Sequence, residues 1–327
     1  MSDPIMPETI ENPYPIDLTP PDIERWREGN AGLDWIWRFS ADRPGPHLLI
    51  SAVVHGNELC GAIALDRLLS EGLRPRRGTL TLAFMNVEAY QNFDPTDPFA
   101  SRWVEEDFNR LWDRETLEGP RDSADLRRAR AVRPVVDAAD HLLDIHSMQQ
   151  PSAPVALAGM AEKNVALARG LGIPEVIVRD GGHAAGRRLR DYGPFEDPAS
   201  PSTSLLIECG QHWEAGAADL ALDCALRFLL HFDAIDAATA AKLAPPPATA
   251  PQRVLEISGP ITIRSDDFRF VENFTGLETV PKAGTIIAYD GEDPVTTPYD
   301  DCVLLMPTRR LWKGQTAVRL GRYTAPV

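Results

Sequence analysis

The alternation of unbroken apolar runs with amphipathic stretches constrains this chain most. Residues 46–54, PHLLISAVV, are almost wholly apolar. Residues 59–72, LCGAIALDRLLSEG, follow with apolar positions at helical spacing and a glycine stop. A strand that reads as a continuous apolar run is buried on both faces, so helices must cover it on either side. The pattern recurs. Residues 78–87, 141–148, 154–160 and 202–210 read as strands, and 162–172 and 217–235 as helices. Residues 125–139 read as a helix that Pro134 either kinks or starts. The expected fold is α/β, a mostly parallel sheet flanked by helices.

The pattern then changes. Residues 240–252 form an Ala/Pro linker of the semi-rigid kind, and residues 253–327 read as short strands and turns, a small all-β domain. Residues 1–15 are polar and proline-rich, an arm laid on the surface. A chain of 327 residues, 43% hydrophobic, can build one sizeable core and a smaller appended domain. The net charge of −15 argues against nucleic acid as a partner. The lack of a long apolar run argues against a membrane. The four cysteines, Cys60, Cys209, Cys224 and Cys302, are scattered without a CxxC, which suits reduced thiols and a cytoplasmic location.

Chemistry in an open α/β sheet gathers at the carboxyl ends of strands. His55 and Glu58 lie at such an end, with Gly56 for a tight turn and Asn57 tolerant of unusual backbone angles. Imidazole nitrogen and carboxylate oxygen are both zinc ligands, and a catalytic zinc takes three of them plus an open position. The bland reading of this fragment is a surface histidine before a helix whose first-turn glutamate favours the dipole. His146 ends a second strand and would be the third ligand, or else a satisfied histidine at the core's edge. Asp144 faces the same way and could fix the His146 tautomer. Glu208 ends another strand, where a carboxylate is costly to bury without purpose, and is the candidate general base. Arg102, Asn109 and Arg110, in SRWVEEDFNRLW, suit a carboxylate substrate or a developing oxyanion, although solvated arginines at a helix start would look the same.

HGNE, then an arginine followed seven residues on by NR, then DIH and IECG at strand ends, resembles the succinylglutamate desuccinylase/aspartoacylase family of the zinc-carboxypeptidase-like superfamily. The resemblance covers residues 45–235, and the β-rich tail fits the family's C-terminal domain. It implies a zinc-dependent catalytic α/β domain over residues 1–239, with His55, Glu58 and His146 as ligands of one Zn2+ per chain. It implies Glu208 as catalytic acid/base, Arg102 polarising the scissile carbonyl, and Asn109 and Arg110 gripping a substrate carboxylate. The implied activity is hydrolysis of a small anionic N-acyl amino acid, and since the family includes oligomers, a homo-oligomer is expected.

The chain departs from members that cleave acetylaspartate. They carry an arginine about ten residues before the catalytic glutamate, and here that stretch reads PFEDPASPSTS. The basic residues lie further upstream, and Arg187, Arg188 and Arg190 are candidate substrate-binding residues in either a flexible surface loop or a lid over an anionic substrate. Tyr289 and Tyr299 are the candidates for the tyrosine those members supply from the C-terminal region. Three rival readings stand beside this one. A metallocarboxypeptidase would need a wide cleft, which a β domain narrowing the entrance would deny it. The others are a non-catalytic metal-binding protein and a hydrolase using Cys60 or Cys209 as nucleophile.

Overall fold

The computed structural model describes residues 12–183, 185–244 and 251–324. The first seven strands are β1 (Ile36–Ser40), β2 (His47–Ala52), β3 (Thr79–Phe84), β4 (His141–Met148), β5 (Val155–Leu157), β6 (Val176–Arg179) and β7 (Thr203–Gln211). The helices are α1 (Leu59–Ser70), α2 (Val87–Gln91), α3 (Arg114–Glu118), α4 (Ala124–Asp137), α5 (Glu162–Leu171), α6 (Ala215–His231) and α7 (Ala237–Leu243). Seven strands follow in the tail: β8 (Arg253–Thr262), β9 (Phe268–Phe270), β10 (Thr279–Val280), β11 (Ile286–Asp290), β12 (Asp293–Thr296), β13 (Cys302–Leu305) and β14 (Thr316–Tyr323).

Side chains alternate across a strand, and β2 shows what that does here. Leu48, Ile50 and Ala52 pack into a core with α1, α5 and α6, while Leu49 packs on the opposite face with Leu126, Ala129 and Val132 of α4. The apolar run is buried on both sides, as its sequence requires. Gly61 lets α1 approach closely: a Cβ there would lie 2.7 Å from the Ala52 Cβ. Helix α4 starts well before Pro134, because the Ser123 hydroxyl accepts from Leu126 N at 3.0 Å and caps it, so the proline sits inside the helix.

The sheet has eleven strands in the order β1-β3-β2-β4-β7-β5-β6-β8-β14-β13-β10, and a separate antiparallel sheet holds β12-β11-β9. Strands β3, β2, β4 and β7 run parallel, whereas β5 pairs antiparallel with β7 and parallel with β6. The tail joins at β6, where Val176 to Arg179 pair in parallel with Arg253 to Glu256. Leu206, Val178, Leu255 and Val303 close a shared apolar cluster across that join. Of the segment read as a linker, residues 240–243 belong to α7 and residues 245–250 lie outside the described residues, as do residues 1–11 of the N-terminal arm. No helix among the described residues is long and apolar enough to cross a membrane.

Candidate metal centre and substrate cavity

The carboxyl ends of β2, β4 and β7 meet. In the parallel ladder Ser51 lies opposite Asp144, and His146 opposite Glu208. The register shifts just beyond His146, so Met148 faces Gln211. Such irregularities re-aim side chains next to active sites. At the end of β2, Val53 has φ +61°, a conformation rare for a β-branched residue, and its carbonyl accepts from Asn86 N at 2.8 Å. Gly56 is needed for proximity rather than for a left-handed angle. A Cβ there would fall 2.3 Å from the Ala89 carbonyl carbon and 2.4 Å from the Ser101 oxygen.

Glu58 stands at the N-cap of α1 but does not cap it. Its Oε1 lies 2.7 Å from His55 Nδ1, and its Oε2 lies 2.9 Å from His146 Nδ1 and accepts from Ser147 N at 3.1 Å. Each imidazole is held from behind: His55 Nε2 is 2.9 Å from Asp107 Oδ1, and His146 Nε2 is 2.9 Å from Asp144 Oδ2. Ser51 Oγ donates to Asp144 Oδ1 at 2.7 Å, which steadies that carboxylate. Both rings therefore present Nδ1 to Glu58.

The ligand atoms of His55, Glu58 and His146 lie within 4.8 Å of one another, all buried. Two imidazoles and a carboxylate, with a carboxylate behind each imidazole, are a donor set that fits a divalent zinc. The electrostatics agree. Burial pushes the Glu58 carboxyl up, but His55 and His146 outweigh it and hold it well below the usual carboxylate range. Burial pushes the His146 imidazole down, but Asp144 and Glu58 outweigh it and hold it well above its ordinary value.

Glu208 is 7% exposed, and its Oε2 has no partner among the described residues. Burial first, then Glu58, pushes its carboxyl up to about 8. Arg102 Nη1 donates to Glu58 Oε1 at 3.2 Å, and Nη2 lies 3.7 Å from Asp107 Oδ2. Asn109 Oδ1 accepts from Leu189 N at 2.8 Å, which leaves its amide Nδ2 without a protein partner among the described residues. Arg110 Nη2 lies 3.9 Å from Asp107 Oδ2.

These groups line one cavity of about 270 Å3. The tail contributes Thr275, Met306, Thr308, Arg310 and Arg319 to its wall, so the β-rich region forms part of the cavity. Of the arginines grouped upstream, Arg188 lines the cavity; Arg187 and Arg190 do not. Arg188 forks onto Asp180 at 2.8 and 2.9 Å and reaches Asp191 at 2.6 Å. Arg190 is fully buried and pairs with Asp191 and Glu196. These ties fix the end of the supposed lid in the body of the protein. Asp180→Ala is expected to destabilise the chain by about 3–5 kcal/mol, because it strips half the neutralisation from a buried guanidinium. A urea midpoint unchanged from wild type would show instead that Arg188 is solvated from the cavity.

Tyr289 and Tyr299 are absent from the cavity wall; the Tyr299 hydroxyl pairs with Ser258 Oγ at 2.7 Å. Cys60 and Cys209 are buried and do not line it either, and burial, with Cys60 beside it, raises the Cys209 thiol well above its ordinary value. Asp107, His212, Arg310 and Arg319 are lining residues that the sequence did not single out. Asp107 carried a local signal, since it caps the turn that begins with Phe108. The two tail arginines carried none.

The sequence pattern of the succinylglutamate desuccinylase/aspartoacylase catalytic domain matches residues 44–223, more than half of the chain. The chain belongs to this family. Solved structures share its fold. A succinylglutamate desuccinylase from Vibrio parahaemolyticus superposes with TM-score 0.66 at 19% identity, covering 89% of this chain and 87% of that one. An aspartoacylase family protein from Mesorhizobium loti gives 0.59 at 17%, covering 89% of each. The product-bound ectoine utilization protein from Ruegeria pomeroyi gives 0.58 at 15%, covering 88% and 87%. Among curated proteins no sequence matches this one. The family's type of activity is deacylation, and the desuccinylase/aspartoacylase match places His55, Glu58, His146 and Glu208 all inside the matched region.

Proposed function

We propose that this family member is a zinc-dependent hydrolase of the amide bond in a small, anionic N-acyl amino acid. The observation that carries the reading is the convergence of the His55, Glu58 and His146 donors with the buried Glu208 carboxyl, whose Oε2 has no partner among the described residues, in one cavity. A zinc ion held by those three residues supplies Lewis acidity to the scissile carbonyl and the attacking water. The chain's own residues do the rest. Glu208, poised near neutrality, takes the proton of the attacking water on its carboxylate and returns it to the leaving amine nitrogen. Arg102 donates N–H to the oxyanion that develops on the carbonyl oxygen. Asn109 Nδ2 and the Arg110 guanidinium hold the substrate carboxylate, and such positioning removes part of the barrier before reaction. The small cavity, walled in part by the tail, supports a small substrate over a peptide.

The test is free-amine release from N-acetyl, N-succinyl and N-formyl amino acids, with and without a chelator. Release from one or a few members, abolished by chelator and restored by zinc, is the expected result. Silence from the whole panel, at one zinc per chain, would remove acyl amino acids as the substrate class.

A further inference from the structure

Residues 103–107 belong to no helix or strand; they join two short 3₁₀ turns, Ala100–Arg102 and Phe108–Arg110. The residues that bound this stretch both serve the metal centre, since Arg102 donates to Glu58 and Asp107 backs His55. Backbone without a ladder of its own must have its N–H groups satisfied from elsewhere. One carboxylate does that here. Asp125 Oδ1 accepts from Val104 N at 3.2 Å, and Oδ2 accepts from Glu105 N at 2.7 Å and from Glu106 N at 3.0 Å. Successive amides wrapped round one anion form a nest. Asp125 is 0% exposed and stands in the first turn of α4, where the helix dipole favours negative charge. The contact is reciprocal. Glu105 Oε2 accepts from Ala124 N at the start of α4, and Glu106 Oε1 accepts from the Ser123 hydroxyl that caps it.

The same carboxylate reaches the other side of the centre. Asp125 Oδ1 accepts from Asn86 Nδ2 at 2.6 Å, and Asn86 N donates to the Val53 carbonyl, two residues before His55. Gly56 N in turn donates to the Arg102 carbonyl at 3.1 Å. Asp125 is thereby bonded to the segment that carries Arg102 and Asp107 and, through Asn86, to the turn that carries His55. It does not itself line the cavity.

We propose that Asp125 is a positioning residue for the metal centre: by gathering the amides of Val104, Glu105 and Glu106 it sets where Asp107 meets His55 and where Arg102 meets Glu58. An asparagine has the same shape and cannot do this, because its Nδ2 meets N–H donors on whichever side it lies. The inference rests on the proposed function for the identity of the metal, so the test reads zinc binding apart from turnover.

The experiment is competitive titration of the metal-free full chain with zinc against a chromophoric chelator. Asp125→Asn is expected to weaken zinc binding about 10- to 100-fold, the usual worth of a group that orients a metal ligand. Asp107→Ala should do the same, and the double variant should fall within about 3-fold of the poorer single one, because both changes release the same imidazole. A double variant whose loss is the product of the two single losses overturns the proposal. Val132→Ala, buried about two turns further along α4, controls for stability: it should lower the urea midpoint and leave zinc affinity within about 2-fold of wild type. If it weakens zinc as much as Asp125→Asn does, the loss is one of folding and the proposal falls. Should Asp125→Asn not fold, Glu106→Ala, whose side chain is 25% exposed, loosens the same contact and is expected to weaken zinc several-fold; wild-type affinity there is the overturning result. Coupled zinc losses in a chain that cleaves no acyl amino acid keep the positioning role and remove the deacylase reading. A cleaving Asp125→Asn variant with wild-type zinc affinity does the reverse.

Discussion

Glu208→Gln is expected to lower kcat by about 100- to 10,000-fold while the chain still binds one zinc, because the amide keeps the shape of the carboxyl and loses its proton chemistry. The site explains why the effect should fall on turnover. Glu208 Oε2 has no structural partner to lose among the described residues, and the residue lies opposite His146 in the ladder without belonging to the three converging donors. Removing the charge should not unfold the site, since burial already disfavours it. Steady-state kinetics beside metal analysis decides the matter. A variant with wild-type kcat would take the proton transfer away from Glu208, and a variant that had lost its metal would make Glu208 a ligand instead.

His146→Ala is expected to abolish stoichiometric metal binding and activity together. The imidazole supplies one of three donors, and it also stands between Glu58 and Asp144, whose carboxylates are 2% and 0% exposed. Its loss leaves buried anions facing a void, so the metal-free variant should be less stable than the metal-free wild type by about 3–5 kcal/mol. Metal content after dialysis and a urea titration read the two effects separately. Retention of a full equivalent of zinc would remove His146 from the ligand set. Loss of metal with no loss of stability would show that Glu58 and Asp144 take up protons or water at little cost.

The candidate site was readable because its residues sit at the ends of apolar runs. Each of β2, β4 and β7 is announced by its own composition, and His55, His146 and Glu208 stand at or just beyond the points where those runs end. Asp144 could be placed behind His146 because the two-residue period of a strand puts both side chains on one face. Arg190 shows the limit of the same method. Its neighbours in sequence, Arg187 and Arg188, made it look like part of a mobile basic loop, yet it is fully buried against Asp191 and Glu196. A cluster of like charges in sequence says nothing of which acids fold against it. Strand β5 shows a second limit, since its three residues carry too little pattern to reveal that it runs antiparallel to β7.

By itself the sequence determined the α/β class, the strand-end positions of the metal-site and general-base candidates, and the strand-rich character of the tail. These follow from local periodicity and from residue chemistry at fixed spacing. Only the tertiary structure decided that β8 extends the sheet at β6, that Asp107 backs His55, and that Arg310 and Arg319 reach a cavity built by strands far away in sequence. Such pairings depend on which distant surfaces bury one another, and a local pattern records that a face is apolar or charged without recording what it meets.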